Sequence, residues 1–272
     1  MTPLLLRAAL VLALVLAPQA LRSEDALARI GAQGVVTAGA VPDKLPTSGY
    51  DAKGELAGFD IDVSREIGRR LGAQVAFAVS DFATVLSGDW HGRFDFCACS
   101  ITPTKERAER LAFPAAYRFD AAVLVVRAED RAIATIADAS GKRIGVKADT
   151  TFQRYLERNL VIFAGTPVTY QIEKPTIVTF ADKDGSVQAL RAGEVDAAIV
   201  AFVTARGAIE AGAPLRIVPG FLFFEPVAVA ALKDEKALNE RIGQAVQAMH
   251  EDGTLTELSL KWFGIDLTRV LK

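Results

Sequence analysis

Cysteine, histidine, methionine and tryptophan each occur only twice in these 272 residues. The two histidines, His91 and His250, are far apart, and no HExxH, CxxC, GxSxG or P-loop pattern occurs. The common signatures of metalloproteases, dithiol redox enzymes, serine hydrolases and nucleotide-binding loops are therefore absent, and no cofactor is expected. Net charge is only −2, with no basic block to suggest nucleic acid or an anionic membrane as partner. The main apolar run, residues 8–17, is shorter than the ~20 residues a membrane-spanning helix needs. Arg7 precedes it and small residues follow, the pattern of a secretory signal. Residues 1–20 are expected to be a cleaved signal peptide. No cysteine lies near the junction, so no lipid anchor is expected, and the mature chain is expected to be a soluble periplasmic protein.

Removing that segment leaves about 250 residues, enough for two domains. Cys97 and Cys99 stand at i and i+2. An ideal strand puts their Cα atoms roughly 7 Å apart on one face, beyond comfortable disulfide reach, so the pair reads as two small buried apolar side chains.

The mature chain alternates strand-like and helix-like segments. Strands are expected at 35–38, 73–79, 94–99, 143–146, 168–172, 176–180 and 195–200. Helices are expected from an Asp60 N-cap through Val63, Ile67 and Leu71, and at 82–86, 150–160, 186–192, 237–249 and 255–263. The alternation predicts α/β architecture with mainly parallel sheets. Two continuous apolar stretches, 121–126 and 227–232, break the rhythm and read as crossings between two lobes. Lobe 1 would comprise 25–119 with 227–272, and lobe 2 127–220, with crossings near 120–126 and 221–232.

The stretch from Asp95 to Tyr117, DFCACSITPTKERAERLAFPAAY, stands out chemically. An apolar strand runs into hydroxyls at Ser100, Thr102 and Thr104, then Arg107 and a short charged helix. Arginine offers a planar fork that matches a carboxylate bidentately, and hydroxyls and free N–H groups can fill the remaining lone pairs. The stretch reads as a carboxylate cradle.

Four blocks together resemble the periplasmic solute-binding proteins of the polar amino-acid uptake type, solute-binding family 3. They are GFDID at 58–62 with its helix to Leu71-Gly72, SITPTKER at 100–107 with Phe113 and Tyr117, GKRIGVK at 141–147 through Thr150-Thr151, and Asp252-Gly253-Thr254 with KWFG at 261–264. The resemblance spans most of the mature chain. It implies a two-lobed Venus-flytrap fold, each lobe a mainly parallel sheet flanked by helices, closing on a ligand between the lobes. It implies that Arg107 grips the ligand's carboxylate, that Ser100 and Thr102 add contacts, and that Thr150 and Thr151 start a helix facing the same group. Phe82 would pack on the ligand, and Asp43 and Lys147 would read its polar side chain. Asp60 and Asp62 read instead as cap and surface.

Two positions depart from the family pattern. Ala201 stands where an aspartate usually pairs with the ligand's ammonium, and Thr47 stands where an aromatic ring usually packs. A desolvated ammonium without a partner costs several kcal/mol, roughly. Either another acid does that work or the ligand lacks the ammonium. The segment 168–180 carries about ten extra residues, expected to form an edge hairpin. The implied function is capture of a small carboxylate-bearing solute, with delivery by a monomer to an inner-membrane ABC permease. A sensory or accessory binding protein, or a dehydratase on the same fold, is the alternative. The cleft motifs themselves show no cluster of acid and base residues that would support an enzyme.

Overall fold

Short strands rich in valine, alanine and isoleucine alternate with amphipathic helices in the computed structural model, which describes residues 26–43, 45–163 and 167–270. The expected signal peptide lies outside these residues. In chain order, α1 (Ala26–Gln33) leads into β1 (Val35–Ala40), and the small pair β2 (Gly49–Tyr50) and β3 (Leu56–Ala57) precedes α2 (Phe59–Arg70). Next come β4 (Gln74–Val79), α3 (Phe82–Ser87), β5 (Phe96–Ile101), β6 (Leu111–Ala112) and the long β7 (Ala116–Arg127). The middle of the chain holds β8 (Arg143–Lys147), α4 (Thr151–Leu156), β9 (Thr176–Phe180), α5 (Lys183–Ala192), β10 (Ala197–Ala201), α6 (Phe202–Glu210) and β11 (Leu215–Ile217). The long β12 (Phe223–Leu232) returns, and α7 (Lys236–Glu251) and α8 (Thr254–Phe263) follow.

The main sheet runs β4-β1-β5-β12-β7-β10-β8-β9, with β6 beside β12 and β11 beside β7. At one end β1 lies parallel to β4 and β5, and at the other β8 lies parallel to β9 and β10. Between them β7 and β12 run antiparallel to each other and to β10 and β5. The fold is thus α/β and two-lobed, two parallel half-sheets joined through two long strands. Each half has its own core. On one side Phe59, Val63 and Ile67, spaced four apart on α2, pack with Val36, Val229, Leu238 and Ile242. On the other, Leu124, Ile144, Val146, Tyr155 and Ile199 pack together.

The N-cap of α2 is Gly58, not Asp60, which lies inside the helix and is buried. Gly58 has φ 126° and ψ 172°, a conformation nearly exclusive to glycine, and a Cβ there would sit 2.5 Å from the Thr47 carbonyl oxygen. Gly58→Ala is expected to cost at least about 2 kcal/mol and to lower the melting temperature by about 4–8 °C in a calorimetric scan.

Other expectations are corrected by the structure. The helix expected at 150–160 ends at Leu156, because Arg158 turns into the left-handed region at φ 60°. Residues 168–172 form no strand and no hairpin. They are held by side chains instead: Gln171 N donates to Tyr155 Oη at 2.9 Å, Tyr170 Oη donates to the Leu160 carbonyl at 3.2 Å, and Ile172 is buried. The charged helix expected after Arg107 is a single 3-10 turn, Arg107–Glu109. Both long strands begin earlier than their apolar runs, β7 at Ala116 and β12 at Phe223.

The two cysteines are also corrected: they form a disulfide, with Cα atoms 5.3 Å apart. The ideal-strand spacing fails because β5 is not regular here. From Cys97 to Ile101 it spends four residues while β12 spends two, Ala230 to Ala228. The surplus arches the chain, shortens the step between Cys97 and Cys99, and puts Ser100 at φ 54°.

Candidate functional site: a charged cleft between the half-sheets

The ends of β1, β5, β8 and β10 converge with α3, α4 and the long strands around one cleft. All eight residues singled out in the sequence line it: Asp43, Phe82, Ser100, Thr102, Arg107, Lys147, Thr150 and Thr151. They come from both halves of the sheet. Ala201 and Thr47, the two departures from the family pattern, line it as well.

Arg107 spans the cleft. Its Nη1 donates to the Thr102 carbonyl at 2.9 Å and its Nη2 to the Asp149 carbonyl at 2.8 Å. Its Cζ lies 5.6 Å from the centre of the Phe82 ring, and Lys147 Nζ lies 5.2 Å from the same ring. Phe82 is therefore a platform for two cations. Burial draws the Arg107 pKa down to about 10, opposed by the nearby Glu225 and Glu106 carboxylates. Lys147 Nζ also meets Asp43 Oδ2 at 3.6 Å across the cleft.

Further contacts hold the halves together on this side. Lys105 N donates to the Val161 carbonyl at 3.0 Å, and Phe163 N donates to the Pro103 carbonyl at 2.8 Å. Arg154 Nη2 pairs with Glu106 Oε1 at 3.2 Å. These contacts bridge the two halves of the sheet beside the cleft.

Thr150 caps α4: its hydroxyl donates to the Lys147 carbonyl at 2.7 Å and accepts from Gln153 N at 3.5 Å. The Ser100 hydroxyl is engaged within the protein, donating to Asp60 Oδ2 at 2.6 Å and accepting from Arg118 Nη2 at 2.9 Å.

Those bonds open onto a buried charged network that reading the sequence missed. Arg118 Nη1 donates to Asp120 Oδ2 at 2.7 Å, and Tyr117 Oη donates to Asp60 Oδ1 at 2.9 Å. Ser100 N in turn donates to Tyr117 Oη at 3.0 Å. Thr102 Oγ1 donates to Glu225 Oε2 at 2.8 Å, and the Thr151 hydroxyl bonds the same carboxyl. Arg118, Asp120, Glu225 and Asp60 are all buried, and all line the cleft. Asp60, read as a cap, is thus part of the cleft floor, and the cleft holds the cluster of acidic and basic side chains that its motifs did not display. Asp62 does lie at the surface edge, held by Lys261 and Trp262.

Burial lowers the Arg118 pKa, but Asp120 and Asp60 outweigh it, so the guanidinium ends well above its ordinary value. Burial pushes Tyr117 up, and Asp60 adds to it. Burial also raises Glu225; bonds from Thr151 and Thr102 oppose the rise, and Asp120 adds to it. Ser48 Oγ and Arg118 Nε are buried cleft atoms with no hydrogen-bond partner among the described residues.

One signal could have found the network. Arg118, Asp120 and Glu225 are charges inside long apolar strands, and β7 and β12 pair Glu225 directly with Asp120. Charged side chains inside a buried strand are rare unless paired. Among the described residues no helix is long and apolar enough to cross a membrane, and no group of three or more His, Cys, Asp or Glu could hold a metal ion.

Known proteins share this architecture. A probable amino-acid ABC transporter-binding protein of Haemophilus influenzae is 26% identical over 226 residues, 82% of this chain and 82% of that one. The L-cystine-binding protein TcyJ of Escherichia coli is 25% identical over 248 residues, covering 90% and 89%. A solved structure of an ancestral arginine-binding protein bound to arginine superposes with a TM-score of 0.72 at 27% identity, covering 85% of this chain and 99% of that one. The model of one family matches residues 36–265, which take in both half-sheets, both long strands and every wall of the cleft. The chain belongs to the bacterial extracellular solute-binding proteins, family 3.

Proposed function

We propose that this protein captures an amino acid or amino-acid-like carboxylate in the cleft and delivers it to an ABC importer. The observation that carries the reading is the convergence of Arg107, Thr102, Thr151 and the Phe82 platform on one cleft walled by both half-sheets. Arg107 presents a fork of donors to a carboxylate. Phe82 and the aliphatic wall of Val41 and Val227 give it an apolar side. The relatives are named for amino-acid, cystine and arginine binding, which supports the solute class.

Closure, not chemistry, is the proposed mechanism, and the protein is proposed to be no enzyme. The ligand would meet one wall first, then gain the groups of the other. Its effect on the open–closed equilibrium is bounded by its differential affinity for the two states. The lobes are proposed as 25–119 with 227–272, and 127–220, with crossings near 120–126 and 221–232. We propose export to the periplasm after cleavage of residues 1–20, action as a monomer, and docking of the closed form on a membrane permease.

Isothermal titration of the refolded, ligand-stripped protein against the twenty L-amino acids, L-cystine and their des-amino carboxylates tests the reading. Micromolar or tighter binding of at least one member is expected. Absence of binding across the whole set would overturn it.

A further inference from the structure

We propose that residues 160–163 form a latch outside the cleft, which ties the two halves of the sheet through backbone hydrogen bonds and sets how fast a captured solute leaves. The inference rests on the solute-binding reading above and adds to it a rate-controlling element that never touches the solute.

The latch is a two-bond antiparallel bridge. Lys105 N donates to the Val161 carbonyl at 3.0 Å, Phe163 N donates to the Pro103 carbonyl at 2.8 Å, and Thr104 stands opposite Ile162 between them. Residues 103–105 follow β5 in one half of the sheet, and 161–163 follow α4 in the other. None of these six residues lines the cleft. The bridge is nevertheless spliced into the turn that carries Arg107. Thr102, one residue before it, accepts from Arg107 Nη1 at 2.9 Å, and the Thr104 hydroxyl accepts from Arg107 N at 3.2 Å. Separating the halves must break the bridge and disturb the Arg107 turn in one motion.

Local sequence prepares both sides of the bridge. Leu160 and Ile162 are buried in the core of their own half, while Val161 and Phe163 are more than half exposed. That alternation has the period of a strand, and the bridge to Thr104 is the pairing found for it among the described residues. Pro103 lacks an N–H, so its carbonyl is the one backbone hydrogen-bonding group it offers, and Phe163 takes it. Thr104 and Ile162 are both buried, so the flanking bonds are partly shielded from water and costly to break.

The extra residues after α4 gain a role as a buttress. Tyr170 Oη donates to the Leu160 carbonyl at 3.2 Å, and the Tyr170 ring lies 5.3 Å from that of Tyr155. Arg158 Cζ lies 5.1 Å from the centre of the same ring. The segment that forms no hairpin thus braces the latch against its own half. The neighbouring Arg154–Glu106 pair is more exposed, and such pairs contribute little.

The test separates backbone from side chain at one exposed residue. Phe163→Pro deletes the N–H that bonds Pro103, and a proline favours extended backbone in the residue before it, as a bridge requires. Phe163→Ala deletes the ring and keeps the N–H. The probe is whichever compound of the titration set above wild type binds most tightly, radiolabelled and chased with unlabelled excess. Phe163→Pro is expected to release it about 5- to 10-fold faster, with the association rate within about twofold of wild type. Phe163→Ala is expected to match wild type. A second variant works in the opposite direction. Lys105→Cys/Val161→Cys places thiols on two exposed residues that stand opposed across the bridge. Oxidised, it is expected to slow release at least about 10-fold, and a dithiol reductant should restore the rate, with wild type treated alike as the control for Cys97–Cys99. Unchanged release in Phe163→Pro, equal acceleration in Phe163→Ala, or a crosslink that does not form or does not slow release would each overturn the latch. If wild type binds no member of the set, the solute-binding reading itself falls and this inference with it.

Discussion

Arg107→Ala is expected to weaken ligand binding by about 2–4 kcal/mol, roughly a 30- to 900-fold rise in Kd by isothermal titration. Two losses combine. The first is the charge-assisted fork to the carboxylate. The second is internal: Nη1 and Nη2 tie the Thr102 carbonyl to the Asp149 carbonyl, residues that belong to opposite halves of the sheet. Removing that tie disfavours the closed form in which the ligand is held. Arg107→Lys keeps the charge but not the planar fork, and should fall between wild type and alanine. Melting of the unliganded protein should also fall modestly, because the carbonyl of the buried Thr102 loses the Arg107 donor. Unchanged affinity in Arg107→Ala would remove this residue from the site.

Arg118→Met should leave a folded but much weaker protein, by about 3–5 kcal/mol. The expected drop in melting temperature is about 6–20 °C for a chain of this size. Arg118 donates to Asp120 at 2.7 Å and to Ser100 at 2.9 Å, and packs 5.7 Å from the centre of the Phe263 ring. Without it, the Asp120 carboxylate keeps Ala121 N as its one donor among the described residues, in a buried position. Such a charge is costly because the interior screens it poorly.

The sign of the pH dependence follows. In wild type the Arg118 pKa is raised, so its stabilisation is full below the ordinary arginine value and is lost only in strong alkali. The double variant Arg118→Met/Asp120→Leu removes both charges and should recover part of the loss, measured by urea unfolding in parallel. A single variant as stable as wild type would show that the pair contributes nothing.

Much of the cleft was legible in the sequence because its motif residues are close together in the chain. Ser100, Thr102 and Arg107 fall within one turn, and Lys147, Thr150 and Thr151 within another. The type and spacing of the side chains point to a carboxylate without knowledge of what lies opposite. Helix α2 was legible for the same reason, since Val63, Ile67 and Leu71 lie one turn apart in the sequence, although its start falls at Phe59 and not at Asp60. The cysteine pair was not. Whether Cys97 and Cys99 can bond depends on a bulge set by the register of β5 against β12, more than a hundred residues away. The expected hairpin at 168–180 failed likewise. Only residues 176–180 find an edge on β8, while 168–172 are held by the side chains of Tyr155 and Tyr170.

By itself the sequence determined the alternation that makes an α/β chain, the family, and the fork of Arg107 among its hydroxyls. These depend on neighbours within a few residues, or on motifs read in order. Only the tertiary structure decided what faces Arg107. Arg118, Asp120 and Glu225 interrupt apolar strands and look misplaced until β7 and β12 lie side by side, with Asp120 opposite Glu225. Their meaning is electrostatic, and a buried charge has none until the distance to its partner and the loss of water around it are known.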